Sequence, residues 1–136
     1  MDPTLLDTDI LSEILKQKNT AVMQKALAYV AQHSHFSFST LTRYEIRRGL
    51  LDKNAVVQLQ RFVIFCNNST VHPITDAVLD RAADLWVLAG KQGQPRADAD
   101  LLIAATALEH SMRLASGNLA HFAWIPGLTV DDWRLP

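Results

Sequence analysis

A single cysteine, Cys66, stands among 136 residues. That scarcity excludes an internal disulfide framework and a cysteine-built zinc site, suits a reducing compartment, and leaves Cys66 the role of a small buried hydrophobe. Charge of one sign is lacking too: 13 Lys and Arg against 14 Asp and Glu give a formal net charge of −1. Bulk electrostatics therefore do not advertise a polyanion binder, and any such contact must rest on a local basic patch. No apolar run approaches the ~20 residues of a membrane-spanning helix. The opening Met1-Asp2-Pro3-Thr4 has no basic stretch leading into an apolar one, so a cytoplasmic protein is the expectation. Repeats, low-complexity tracts and long linkers are absent as well, and the length fits one domain over residues 1–136. A hydrophobic content of 49% is enough to bury one face of each element.

What is present is an alternation of short extended pieces and helical periodicity. Leu5-Leu6 ends at Asp7, and Ile10, Leu11, Ile14 and Leu15 then recur at helical spacing up to Lys16-Gln17-Lys18-Asn19. Thr20 opens a second helix to Gln32, and Phe36-Ser37-Phe38 reads as a strand. Helices follow from about Thr40 to Leu51 and from Ala55 to about Phe65. Val71-His72-Pro73-Ile74 is extended, because a residue before proline avoids the helical region. Thr75-Asp76 starts a helix closed by the Gly90 to Gly93 segment, and another runs from about Asp98 to Ser111. A weak strand at Arg113 to Ala115, a turn at Gly117 and an extended Leu128-Thr129-Val130 complete the pattern. Strands joined by helical crossovers imply an α/β fold with a mostly parallel central sheet covered on both faces, whose sites lie beyond the carboxyl ends of the strands.

Asp7 sits at such an end, Glu45 inside the third helix, and Asp100 in the first turn of the helix after Pro95. Mg²⁺ takes hard oxygen ligands and keeps several waters, so two or three carboxylates with a substrate phosphate complete its site. Each acid also has a plain local reading. Asp7 is a natural N-cap, Glu45 can pair with Arg48, and Asp98 and Asp100 are first-turn acids favoured by the helix dipole. His121 beside Phe122 reads as structural, Arg43, Arg47 and Arg96 as phosphate contacts or solvated surface, and Trp86, Trp124 and Trp133 as packing residues.

Four blocks in order resemble the PIN-domain family, and its VapC-type toxins in particular. Leu5-Leu6-Asp7-Thr8-Asp9-Ile10-Leu11 is similar to the opening block, and the segment from Ser39 through Glu45 to Gly49-Leu50 to the second. Asp98-Ala99-Asp100 with its following apolar helix resembles the third; Ser116-Gly117-Asn118-Leu119-Ala120-His121-Phe122, Ile125-Pro126-Gly127-Leu128 and Trp133 resemble the closing block. The resemblance implies a Mg²⁺-dependent (or Mn²⁺-dependent) endoribonuclease, the toxin of a type II toxin–antitoxin pair, dimeric and restrained by a VapB-like antitoxin. It assigns Asp7 and Asp100 as metal ligands, Glu45 as the third acid, and Asp98 as an auxiliary acid. Where the family often carries a fourth acid, this chain has Asn118, which brings no charge and puts a second metal in doubt. Two rivals explain some of the same acids. A haloacid-dehalogenase-like phosphatase would use Asp7 as nucleophile, but the Gly-Asp cluster it needs is missing. A catalytically weak PIN fold would only bind RNA or protein.

Overall fold

The computed structural model describes all 136 residues. Five strands, β1 (Thr4–Leu6), β2 (Ser37–Ser39), β3 (Thr70–His72), β4 (Arg113–Ala115) and β5 (Val130–Asp131), form one sheet in the order β3-β2-β1-β4-β5. Every pairing is parallel, so the sheet is wholly rather than mostly so. Between the strands lie α1 (Thr8–Lys16), α2 (Thr20–His33), α3 (Thr40–Asp52), α4 (Val56–Asn67), α5 (Asp76–Gln92), α6 (Asp98–Glu109) and a short α7 (Leu119–Phe122).

The order of strands dictates the layers. From β1 the chain steps to β2 and β3 on one side, then crosses back to place β4 and β5 on the other. Right-handed crossovers that run in opposite directions put their helices on opposite faces. Accordingly, one core packs Leu6, Phe38 and Ala115 against side chains of α1 to α4, including Ile10, Leu11, Val22, Ile46 and Phe62. The other packs Leu5 and Leu114 against Val78, Ala82, Leu85, Leu101 and Ile103 of α5 and α6. Neighbours Leu5 and Leu6 divide between the cores because successive strand residues point to opposite faces. α6 is apolar nearly all round, with Leu101, Ile103, Ala104, Ala105, Thr106 and Ala107 buried, as befits a helix enclosed between α5 and the sheet.

Several boundaries differ from those the periodicity suggests, each for a local reason. β2 is displaced one residue to end at Ser39, whose side chain also accepts the Thr42 N–H and caps α3. α6 stops at Glu109 rather than Ser111, since Ser111 has φ +53°, outside the right-handed helical region. The last extended piece pairs only at Val130–Asp131, and α7 lies in a stretch too short to show a period. No helix is long and apolar enough to cross a membrane.

Candidate active site

Because β1 and β4 are adjacent while their connections leave in opposite directions, a crevice opens beyond their carboxyl ends. Asp7 follows β1 there, and its N–H donates to Ala115 O at 2.9 Å, continuing the ladder by one bond. Asp7 is only 6% exposed. One oxygen accepts from Thr8 N at 2.8 Å, so Asp7 is the N-cap of α1; the other accepts from Ser116 Oγ at 2.7 Å. Both local readings of this residue thus hold together: one oxygen caps a helix while the side chain lines the crevice.

Ser116, itself fully buried, fixes the loop after β4. Besides donating to Asp7 it accepts the Asn118 N–H at 3.0 Å. Asp9 ties the same loop to α1, taking the Gly117 N–H at 2.9 Å and the Ile10 N–H at 2.7 Å. The Gly117 carbonyl accepts from Arg134 at 2.9 Å, and the guanidinium lies so close that an added Cβ on Gly117 would sit 2.3 Å from it.

Glu45 reaches the crevice from α3, with Oε1 accepting the Thr8 hydroxyl at 2.7 Å. Arg48 approaches its other oxygen at 3.7 Å from an exposed position, so the expected helix pair exists but is the looser contact. Asp100 enters from the first turn of α6 and meets His121 Nδ1 at 2.6 Å. That same Nδ1 lies 2.9 Å from the Asn118 amide. A carboxylate only accepts, so Nδ1 carries its hydrogen toward Asp100. His121 thus touches one of the crevice acids, a contact that a lone imidazole on a short turn gave no spacing from which to read.

The acids line an open cleft of about 840 Å³ together with Thr8, Ser12, Lys16, Gly49, Lys53, Arg61 and Asn118. Asp98, the auxiliary acid of the sequence reading, is exposed on α6 and does not line it. Arg96 stacks over Trp86 at 3.9 Å, Arg43 faces Cys66, and Trp133 is buried, so none of these joins the acids. Sequence reasoning passed over Thr8 and Ser116, and gave Asp9 no place in this site. Only Asp9 carried a signal, as an acid two residues from Asp7.

Burial pushes the Asp7 carboxyl up to about 6, helped by the nearby Asp9 and Asp100 charges and opposed by the bonds from Ser116 and Thr8. Burial likewise raises Asp9, against the Gly117 and Ile10 amides. The strongest influences on Asp7 include no cation, whereas Arg134 offsets part of the charge on Asp9 and Arg48 lies 3.7 Å from Glu45. An oxygen-only donor set of this kind fits a hard divalent ion. No three acids or histidines stand close enough to cage an ion by themselves.

The fold and the sequence both have relatives. The chain of the VapBC2 structure from Rickettsia felis bound to a promoter DNA fragment superposes with TM-score 0.85 at 18% identity, covering 96% of this chain and 98% of that one. FitAcB from Neisseria gonorrhoeae gives 0.84 at 24% identity over 98% and 99%. A toxin–antitoxin complex from Klebsiella pneumoniae gives 0.73 at 25% identity over 96% and 97%. Among curated proteins none matches the sequence. The sequence pattern of the PIN domain matches residues 4–123, well over half the chain. With that match, the parallel sheet in the order 3-2-1-4-5 and the crevice acids Asp7, Glu45 and Asp100 all in view, the chain belongs to the PIN domain family.

Proposed function

We propose that this protein is a Mg²⁺-dependent endoribonuclease, with Mn²⁺ as a substitute, and the toxin of a VapBC-like type II pair. One observation carries the reading: Asp7 is buried at the floor of an open cleft, raised to about 6, with like charges from Asp9 and Asp100 beside it. Such an arrangement costs stability unless a cation joins it, and perturbed acids in a cleft mark functional sites. Asp7 and Asp100 would hold the ion and Glu45 would complete its surroundings. When bound, the ion supplies a water of lowered pKa and neutralises charge at the scissile phosphate.

The chain's own groups do the rest. Ser116 and the Thr8 N–H hold the two oxygens of Asp7, which fixes the plane of its carboxylate. The Thr8 hydroxyl steers Glu45, and His121 steers Asp100 from the opposite wall. Asn118 lines the cleft and brings no fourth negative charge. Asp9, with both oxygens already taken by amide N–H groups, is poorly placed as the free acid that a phosphatase with an Asp7 nucleophile requires.

The similar structures, VapBC and toxin–antitoxin complexes, support a VapB-like antitoxin as partner. Apolar side chains left exposed on α3 and α4 (Leu51, Val56, Val57, Ile64) and on α5 (Leu79, Trp86, Val87) support contacts with an antitoxin and with a second copy of the chain in a homodimer. The protein would act in the cytoplasm, where its RNA is.

The test uses purified protein with total RNA and mapping of the new RNA ends. Cleavage is expected with Mg²⁺, and loss of it with EDTA or with Asp7→Asn or Asp100→Asn. Induction in cells should arrest growth, with rescue by the adjacent small open reading frame. Cutting that persists in EDTA or in Asp7→Asn refutes the mechanism. Metal-dependent RNA binding without cutting favours the binding-module reading.

A further inference from the structure

Arg134 does not line the cleft, yet its guanidinium reaches the loop that orients the acids. The segment after β5 builds that reach from local contacts. Trp133, 2% exposed, is buried in the core that packs α1 to α4, with its ring centre 5.7 Å from that of Tyr29. An anchored Trp133 fixes the backbone of its neighbours Asp132 and Arg134. The Asp132 carboxylate accepts the Arg134 backbone N–H at 2.9 Å, Nε at 3.0 Å and Nη2 at 3.0 Å. The bond from the Arg134 side chain holds the Asp132 carboxyl below its ordinary value. Lys25 of α2 donates to the carbonyls of Asp132 and Leu135 and ties down the same segment.

Nη2 also donates to the Gly117 carbonyl at 2.9 Å, while the Gly117 N–H donates to Asp9. Both polar atoms of Gly117 are therefore held by side chains, one from α1 and one from the segment after β5. One residue earlier, Ser116 donates its N–H to Asp131 O at 3.0 Å and its Oγ hydrogen to Asp7. One residue later, the Asn118 amide meets His121, which meets Asp100. A shift of the Gly117 peptide is thus passed to Asp7 on one side and to Asp100 on the other. Gly117 has no positive φ, so its backbone does not call for glycine. What calls for it is the guanidinium, since an added Cβ would overlap Cζ and Nη2 of Arg134.

We propose that Arg134 is a positioning residue for the acid cleft: by clamping the Gly117 peptide it sets Ser116 against Asp7, and Asn118 with His121 against Asp100. For cleavage this role rests on the nuclease reading; for the clamp itself it rests on the hydrogen bonds alone. Arginine suits the task because its planar fork offers several donors in fixed directions, enough to hold Asp132 and Gly117 at once. A lysine ammonium is a point charge on a flexible stem and fixes no such plane. The Arg134 side chain is 43% exposed, and an ion pair so placed contributes little to stability. Its effect is therefore on geometry, where small misplacements of reacting groups are costly.

The experiment compares Arg134→Ala and Arg134→Lys with wild type and with Arg81→Ala, which removes a similarly exposed ion pair, that with Glu109, outside the cleft. In steady-state cleavage of a fluorescent single-stranded oligoribonucleotide with Mg²⁺, both Arg134 variants should lose about tenfold or more in kcat. Their KM should stay within about threefold, and Arg81→Ala should cut as wild type does. Gly117→Ala, whose Cβ pushes the guanidinium aside, should lose as much as Arg134→Ala. Combining the two should cost no more than about twofold further, because both break one contact. Amide hydrogen exchange reads the clamp without any activity. In Arg134→Ala, the N–H groups of Gly117 and Asn118 should exchange about tenfold faster relative to those of Phe38 and Ile103 in the core. Unchanged relative exchange overturns the proposal, as do full activity in Arg134→Lys and additive losses in the double variant. If the wild type cuts no RNA with any metal, the nuclease reading fails. The exchange rates then decide the clamp by themselves.

Discussion

Replacing Asp7 by Asn should make the protein more stable, and the gain should depend on pH. Burial raises the Asp7 carboxyl from its ordinary 3.8 to about 6, with Asp9 and Asp100 adding to the effect and the bonds from Ser116 and Thr8 already counted against it. The folded protein thus binds this proton more tightly than the unfolded chain does. Stability from this group is at its fullest below about pH 4, where both states are protonated, and is lost as pH rises through about 6. At about 1.4 kcal/mol per pH unit, the span from 3.8 to about 6 amounts to about 3 kcal/mol at pH 7 and above. Asn is as good an N-cap as Asp and carries no charge to bury, so the variant recovers much of that sum. In a chain of this length the gain would raise Tm by roughly 10 °C. Urea unfolding of both proteins from pH 4 to pH 8, without divalent ions, should give curves that coincide near pH 4 and separate by up to about 3 kcal/mol above pH 7. Excess Mg²⁺ should then close the gap, since at a hundredfold over Kd it stabilises the wild type by about 2.7 kcal/mol. An Asn variant less stable than wild type at pH 7.5, or a difference equal at pH 4.5 and 7.5, would refute the claim that Asp7 is held as a strained, uncompensated anion.

Ser116→Ala removes the O–H donor on Asp7 and the acceptor of the Asn118 N–H, and should cost about 1–3 kcal/mol. Its cost by urea unfolding should be greater at pH 8 than at pH 5, because the lost bond favours the ionised carboxylate. His121→Ala frees Asp100, and calorimetric titration with Mn²⁺ should show affinity 10–100-fold weaker while thermal stability moves little, the histidine being partly exposed. Gly127→Ala places a side chain at φ +79° where the space itself is open, the nearest atom being Leu108 Cδ2 at 3.9 Å. Its cost of about 1 kcal/mol is therefore backbone strain, and a lowered Tm with unchanged RNA cleavage should follow.

The helices were legible because their apolar faces repeat: α1 is announced by Ile10, Leu11 and Ile14, and all three are buried. The strands are three residues or fewer, too short for alternation to develop, and were read mainly from their neighbours. Hence β2 was placed one residue early, and β5 overlaps the stretch assigned to it only at Val130. In the site, Asp7, Glu45 and Asp100 were named from ordered blocks, and all three line the cleft. Asp98 shares the first turn of α6 with Asp100, but its side chain is exposed away from the cleft, a difference of direction that adjacent numbering conceals.

By itself, then, the sequence determined the run of helices, the alternation that forces a parallel sheet, and an order of blocks that names the family. Those are local or sequential properties, written in spacing along one chain. Only the tertiary structure decided that Ser116 grips Asp7 across 109 positions, that His121 grips Asp100, and that Lys16, Lys53 and Arg61 share a groove with the acids. Hydrogen bonds and charges act through distances of a few ångströms in space, and it is the crossing of the chain at β1 and β4 that brings those groups within reach.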